Sequence, residues 1–189
     1  METQEITVKE HIIITATRLF HEQGYNLTGI NQIIDEAGVA KASLYYHFPS
    51  KEDLCVAYLK RRNNLWSAGL DAYLTGTKDP KQRIIKTFEY RAQYLEKNHF
   101  GGCSYIKIIS EMPQRGEKID HQVIFQKEKQ RSFFSELTAQ IEVVKKKAEA
   151  LADTIFLLYD GGTVQSQVYR DAAPIETAKK AVIKLLREY

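Results

Sequence analysis

A glycine between two short helical stretches is the feature that most constrains how this chain can fold. Gly38 separates a stretch near 29–37 from one near 40–47, and Pro49 ends the second because proline cannot donate the next helical hydrogen bond. In the first stretch, apolar residues recur at the spacing of one helix face: Ile30, Ile33, Ile34 and Ala37. The sequence therefore predicts two short helices joined by a glycine turn, with Thr28 as the cap of the first.

The second short helix has an unusually polar surface for its length. Only Leu44 and Phe48 are plainly apolar. Hydrogen-bond donors occupy most other positions: Lys41, Ser43, Tyr45, Tyr46, His47 and the following Lys51. Such donors suit phosphate oxygens, and the small Ala40 and Ala42 would allow a helix to lie close to base edges in the major groove. A solvated helical hairpin without a nucleic-acid role is the alternative that the shape alone leaves open.

Residues 12–59 resemble the N-terminal DNA-binding domain of TetR-family transcriptional regulators. The most specific features are the apolar pair Leu19–Phe20 before a Gly-Tyr turn, the Thr28 cap, Ala37-Gly38-Val39, and the LYYHF-x-SK-x-x-L run that ends at Leu54. The chain departs from the family at Ala42, where glycine is frequent, and within 31–34, where aspartate or alanine is frequent. These departures leave the preferred base sequence open.

The resemblance implies a homodimeric transcriptional regulator that binds double-stranded operator DNA and responds to an unidentified small-molecule effector. A repressor is the more usual case in the family, and an activator is the alternative. The residues expected to contact phosphates are Thr28, Ser43, Tyr46, His47 and Lys51. The residues expected nearest the bases are Lys41, Ala42 and Tyr45.

The charge distribution predicts a small, directed contact with the phosphate backbone. The net charge of the chain is only +3, and acids outnumber bases within residues 1–60. Positions 40–62 are nevertheless mainly basic, because Glu52 and Asp53 are the acids there. The bases in that range are Lys41, Lys51, Lys60, Arg61 and Arg62. We therefore expect a modest salt dependence of DNA binding for each protomer.

The remaining sequence has helical patterning and no convincing strand, which predicts an all-α protein of about nine helices. The further helices are expected near 7–23, 50–75, 80–98, 103–112, 116–147, 149–170 and 174–188. Thr7, Ser50 and Asp79 are the expected caps of three of them. We predict an N-terminal three-helix, helix-turn-helix DNA-binding domain at residues 1–52 and a helical regulatory domain for ligand binding and dimerisation at residues 53–189.

The last two helices are predicted to form the dimer interface. Gly161 and Gly162 lie inside a helix, where glycine costs roughly 1 kcal/mol relative to alanine, so close approach of another helix is the expected compensation. TetR-like regulators join these helices in a four-helix bundle. The expected seam is Leu158, Gly161, Gly162, Gln165, Ala178, Val182 and Leu185. Packing within one protomer is the alternative. Two-fold symmetry would separate the recognition helices by about 34–36 Å or a multiple, which requires a pseudo-palindromic operator.

Large aromatic side chains between Leu65 and Phe156 are candidates for an effector pocket, with ordinary core packing as the alternative for each. The predicted pocket residues are Trp66, Tyr90, Tyr94, Cys103, Tyr105, Phe125 and Phe156. The stretch from Gly101 to Met112 resembles a Gly-Cys element that begins the sixth helix in one TetR subgroup, which marks it as a candidate hinge. A redox role for Cys103 is a weaker alternative, because the sequence offers it no nearby resolving thiol.

Composition and motifs argue against membrane proteins and enzymes. No apolar run approaches the roughly 20 residues that a bilayer requires, and the first residues lack a secretory signal, so we expect a cytoplasmic protein with no membrane partner. The competing class is a small helical-bundle enzyme or metal-binding protein, because Glu96 and His99 have the Glu-x-x-His spacing of di-iron bundles. A second such pair, an HExxH and a phosphate-binding glycine loop are all missing, so no catalysis, metal or cofactor is predicted.

Overall fold

The computed structural model describes residues 6–114 and 116–189, which form nine α-helices, one short 3-10 helix and no strand. The helices are α1 (Val8–Glu22), α2 (Ile30–Ala37), α3 (Lys41–His47), α4 (Lys51–Leu74), α5 (Pro80–Lys97), α6 (Ser104–Glu111), α7 (Glu117–Thr138), α8 (Lys145–Tyr169) and α9 (Ala173–Leu185), followed by the 3-10 helix Leu186–Glu188. The predicted all-α class is confirmed. In these ranges, we find no helix with the length and apolar character needed to span a bilayer.

Side-chain caps fix where three of the helices begin, as the sequence predicts. The Thr7 hydroxyl accepts a hydrogen bond from the Glu10 amide at 3.2 Å, and Ser50 Oγ accepts one from the Asp53 amide at 3.1 Å. Asp79 accepts from the amide of Gln82 at 2.7 Å, with Pro80 in the first turn. Each cap satisfies an amide that has no partner inside its helix.

Two predicted helix boundaries are wrong. Gly29, rather than Thr28, is the N-cap of α2, and it makes no side-chain capping bond. The seventh helix ends at Thr138 and not at 147, and α8 begins at Lys145. Residues 139–141 form a turn there, and residues 143–144 form a bend. The Thr138 hydroxyl stabilises this connection by donating to the carbonyl of Ala148 at 2.9 Å.

The chain forms two compact units. The first contains the described residues up to Trp66 together with Ser104–Val123, and in it α1 packs against α2 and α3. The second contains Ser67–Cys103 and Ile124–Tyr189, and in it α9 packs against α8 and α5. The predicted functional division at residues 52 and 53 does not coincide with either boundary and stays a prediction.

Packing inside the second unit explains why one of the two adjacent positions in α8 is a glycine. A Cβ atom at Gly162 would lie 2.9 Å from Ile175 Cδ1, 3.0 Å from Ala178 Cβ and 3.1 Å from Ile175 Cα. A Cβ atom at Gly161 would meet no atom within 4 Å. The close approach at Gly162 is therefore that of α9 in the same protomer, which is the alternative to a dimer contact at this position.

This asymmetry predicts opposite effects of two neighbouring substitutions. Gly162→Ala should lower the free energy of unfolding by about 1–3 kcal/mol, because the added methyl group overpacks the α8–α9 contact. Gly161→Ala should leave it unchanged or raise it by up to about 1 kcal/mol, because alanine is the better helix former. Urea denaturation at one fixed protein concentration measures both. Equal effects of the two variants would contradict the assignment of the close contact to Gly162.

Candidate functional site

The outer face of α3 is polar and exposed, while its inner face is anchored in the first unit. Lys41 and Ala42 are exposed, and the exposed fractions of Tyr45 and Tyr46 are 41% and 83%. Leu44 is fully buried, and Phe48, just after the helix, is 4% exposed. A seven-residue helix is unstable alone, so the burial of these two side chains holds α3 in place. This anchoring leaves Lys41, Ala42, Tyr45 and Tyr46 on one accessible surface.

The turn before α3 depends on the backbone of Gly38. Its φ of 59° lies in the left-handed region, where glycine has no steric penalty, and it ends α2. The amide of Val39 donates to the carbonyl of Ile34 at 3.2 Å and so satisfies one of the last carbonyls of α2. The predicted glycine turn is confirmed, and it fixes the direction in which α3 leaves α2.

The remaining predicted phosphate ligands on and after α3 lie beside this surface. Their side chains are more restricted than those at the centre of the surface. Ser43 and His47 are half-buried, and the rings of Tyr46 and His47 meet edge-on with their centroids 5.0 Å apart. The ammonium group of Lys51 lies 4.2 Å from the ring centroid of Tyr25. Partial burial lowers the pKa of Lys51, and the cation–π contact restricts the directions in which its ammonium group can point.

Thr28 does not lie on the accessible surface, so its assignment as a phosphate ligand is corrected. The residue is fully buried. Its hydroxyl donates to the carbonyl of Gly24 at 2.6 Å and accepts from Gln23 Nε2 at 3.2 Å. These bonds tie the α1–α2 connection together. Thr28 therefore supports the shape of the helix-turn-helix from inside.

Residues from α6 brace the same connection, which the sequence did not predict. Glu111 Oε2 accepts from the amide of Asn26 at 2.9 Å, and the Asn26 side chain donates to the Glu111 carbonyl at 2.6 Å. Lys107 Nζ donates to the carbonyl of His21, near the end of α1, at 2.8 Å. The Tyr105 hydroxyl instead holds α4, by donating to the carbonyl of Leu59 at 3.1 Å. Residues more than 40 positions apart in sequence make these bonds, so helical periodicity carries no signal for them.

The sequence of the helix-turn-helix and its neighbouring helices matches a known family of DNA-binding proteins. Residues 12–58 match the family described as bacterial regulatory proteins, tetR family. The chain is a TetR-family transcriptional regulator. The predicted DNA-binding function and the prediction that the chain is not an enzyme are confirmed by this family membership.

Relatives of this TetR-family protein are similar along nearly its whole length. It is 26% identical to the HTH-type transcriptional regulator LmrA of Bacillus subtilis over 95% of this chain and 96% of LmrA. It is 24% identical to the HTH-type transcriptional repressor NemR of Escherichia coli over 92% of this chain and 91% of NemR. The crystal structure of SCO4454, a TetR-family regulator from Streptomyces coelicolor, has the same fold, with a TM-score of 0.85, 24% identity and coverage of 96% and 95%.

The predicted effector residues of the TetR-family protein fall into both compact units. Trp66 and Tyr105 belong to the first unit. The others belong to the second: Tyr90, Tyr94, Cys103, Phe125 and Phe156. Phe125 is 53% exposed, whereas Tyr105 is buried. The sequence analysis did not predict that Arg91 is buried, although its place on the apolar stripe of Ile84, Phe88 and Leu95 indicates this.

The predicted dimer residues also divide, here between exposed and buried positions. Val182 is fully buried, so its assignment to a partner-facing seam is corrected. Gly162 and Ala178 are buried as well, but they line an open groove with Gly161 and Gln165, so their assignment stays a prediction. Gly161 and Gln165 are exposed, and Leu158 and Leu185 are half-buried. The α8 face also exposes two large apolar residues that the prediction omitted, Leu157 at 70% and Val168 at 65%.

The buried hydroxyl of Thr28 predicts a loss of stability on its removal. Thr28→Val should lower the free energy of unfolding by about 1–3 kcal/mol, because the carbonyl of Gly24 loses its buried donor. Thr28→Ser keeps the hydroxyl and should cost less. Thermal denaturation of the two variants measures the difference. A larger loss in Thr28→Ser than in Thr28→Val would show that the methyl group of Thr28, and not its hydroxyl, is what matters.

His21 predicts a specific acid sensitivity of the first unit. Partial burial, with the charges of Arg62 and Lys107, lowers the pKa of His21 to about 4. In the unfolded chain the imidazole binds its proton below about pH 6.5. The stability that neutral His21 contributes is therefore complete above pH 6.5 and is lost as pH falls towards 4. His21→Gln should flatten the fall in unfolding free energy over this window. Parallel profiles for the two proteins would contradict the assignment.

Proposed function

We propose that this protein is a homodimeric transcriptional repressor, active in the cytoplasm, that a small-molecule effector releases from a pseudo-palindromic operator. Residues 1–52 form the DNA-binding part in this proposal, and residues 53–189 form the regulatory part. Lys41, Ala42 and Tyr45 lie nearest the bases. Phosphate contacts come from Ser43, Tyr46, His47 and Lys51.

The observation that carries the proposal is the exposure of one face of a firmly anchored α3. Tyr46, at 83% exposure, is a large aromatic side chain kept in water, where its hydroxyl can donate to a phosphate. Lys41 and Ala42 open the helix, and in helix-turn-helix proteins the N-terminal residues of the recognition helix contact base edges.

The hydrogen bonds of α6 support a route by which an effector changes DNA binding. Lys107 and Glu111 hold the carbonyl of His21 and the amide of Asn26, so a shift of α6 would pull on the ends of the α1–α2 connection. The segment just before α6 stores backbone strain, because His99 and Phe100 have φ values of 51° and 55° in the left-handed region. An effector that prefers the shifted state of α6 releases the operator in proportion to that preference.

Selection of bound duplexes from a random DNA pool tests the function, with the oligomeric state of the purified protein read by light scattering in the same buffer. A dimer that enriches one pseudo-palindrome supports the proposal. A dimer that enriches no sequence, even at low salt, contradicts it.

Two adjacent tyrosines should affect DNA binding differently. Tyr46→Ala should weaken binding to every operator variant by a similar factor of roughly three to ten, because a lost phosphate bond is indifferent to sequence. Tyr45→Ala should instead change the ranking of operator variants. Fluorescence anisotropy with a set of single-base operator variants measures both effects. If Tyr45→Ala leaves the ranking intact, Tyr45 does not read bases.

The exposed apolar face of α8 should be the dimer contact. Leu157→Arg places a charge on that face and should shift the protein to monomers, with loss of operator binding, because a buried unpaired charge is costly. Val143→Arg is the matched control, because Val143 is an even more exposed apolar residue outside this face, at 97%. Light scattering across a dilution series reads the oligomeric state. Dimers of unchanged affinity in Leu157→Arg would rule out this face.

A further inference from the structure

The carboxylate of Glu111, at the end of α6, lies against the connection between α1 and α2. Its Oε2 atom accepts from the Asn26 amide at 2.9 Å, and the Glu111 backbone carbonyl accepts from the Asn26 side chain at 2.6 Å. A Cβ atom at Gly24 would lie 2.8 Å from Glu111 Oε1, so the missing side chain of Gly24 makes room for the carboxylate. These contacts fix where the negative charge of Glu111 lies.

Lys51, at the start of α4, is held beside the same connection. Its ammonium group lies 4.2 Å from the ring centroid of Tyr25, which belongs to that connection. Partial burial lowers the pKa of Lys51, and attraction to Cys55 and Glu111 opposes this shift. Burial raises the pKa of Cys55 to about 12, so its thiol is neutral at pH 7. At that pH, Glu111 is the member of this pair that attracts the ammonium group.

Glu111 differs from several other acids of the first unit in the partner that binds its carboxylate. Three of those acids pair with bases, and the pairs are Glu10 with Arg61, Glu36 with Arg18 and Asp53 with Lys118. The carboxylate of Glu111 is bound by the Asn26 amide, which carries no formal charge. Glu111 also attracts Lys107, one turn earlier in α6, but that ammonium group donates to the carbonyl of His21. The charge of Glu111 therefore acts on the bases around it.

A carboxylate and a DNA phosphate compete for the same ammonium group. Both are oxygen anions, and an ammonium group forms short charge-assisted hydrogen bonds with either of them. A carboxylate near a DNA-binding lysine also repels the phosphate that approaches the lysine. This repulsion persists at physiological salt over distances below the screening length of about 8 Å.

We propose that Glu111 is a built-in competitor of the DNA phosphate for Lys51, and thus a positioning residue that weakens DNA binding. In the free protein, Glu111 favours the position of the ammonium group beside Tyr25, and a phosphate must replace that attraction. The inference rests on the phosphate contact of Lys51 proposed above. Because Glu111 belongs to α6, it gives this helix an electrostatic influence on DNA affinity in addition to its bonds with the backbone.

Removal of the charge alone tests the proposal. Glu111→Gln keeps a side-chain oxygen that can accept from the Asn26 amide. In fluorescence anisotropy, the full-length variant should bind a labelled mixed-sequence duplex about three to ten times more tightly than the parent protein, because the competing charge is gone. Its plot of log affinity against log salt should be steeper by up to about 0.9 for each Lys51 that gains a phosphate. A mixed sequence suffices, because phosphate contacts carry no sequence information.

A double-mutant cycle makes the test specific to Lys51. In a Lys51→Met background, Glu111→Gln should lose most of its effect on both affinity and salt dependence, because no ammonium group remains to compete for. Asp35→Asn is the matched control, because Asp35 is an exposed acid of α2 in the same unit. Its effect should be the same with and without Lys51. A purely structural role of Glu111 would move the stability of the protein without this dependence on Lys51.

An unchanged or weaker affinity in Glu111→Gln, or a gain that survives undiminished in the Lys51→Met background, would overturn the inference. The phosphate contact on which it rests has a separate readout. If Lys51→Met alone binds DNA as tightly as the parent protein, the proposed contact of Lys51 is wrong and the inference falls with it. If Lys51→Met weakens binding but Glu111→Gln brings no gain, the contact stands and the competitor role of Glu111 is wrong.

Discussion

The burial of Leu44 and Phe48 is the constraint on which the DNA-binding surface depends. The helix α3 has only seven residues, too few to persist in water without tertiary contacts. Its two apolar anchors are almost completely removed from solvent, and the left-handed Gly38 sets the direction from which the helix starts. With both ends determined in this way, the polar side chains of α3 have one orientation available, and it is outward.

A second layer of polar bonds holds the frame behind this surface. Thr28 closes the α1–α2 connection from inside, and Asn26 ties the same connection to Glu111 at the end of α6. The DNA-binding helices are thus braced by a segment that lies far away in sequence. These bonds link α6 to the connection between α1 and α2, and this link is the one on which the proposed effector response depends.

Local sequence signals predicted most of the fold and the exposed part of the candidate site. Helical periodicity, Gly38, and the caps at Thr7, Ser50 and Asp79 depend on neighbouring residues, so they could be read without a structure. The predictions fail where contacts with residues distant in sequence determine whether a side chain is buried. Thr28 has the chemistry of a phosphate ligand but is buried, and Val182, a predicted dimer contact, is buried as well. The burial of Arg91 depends in the same way on Tyr159, 68 positions further along the chain.

Hydroxyl-radical footprinting of the enriched duplex tests most directly the claim that paired α3 helices read DNA. The account predicts two protected segments on one face of the duplex, related by two-fold symmetry, with centres about 10 base pairs apart or a multiple of that. Each segment should lose its protection when Lys41, Tyr45 and Tyr46 are replaced together by alanine. A single asymmetric protected segment, or protection that survives this triple substitution, would contradict the account.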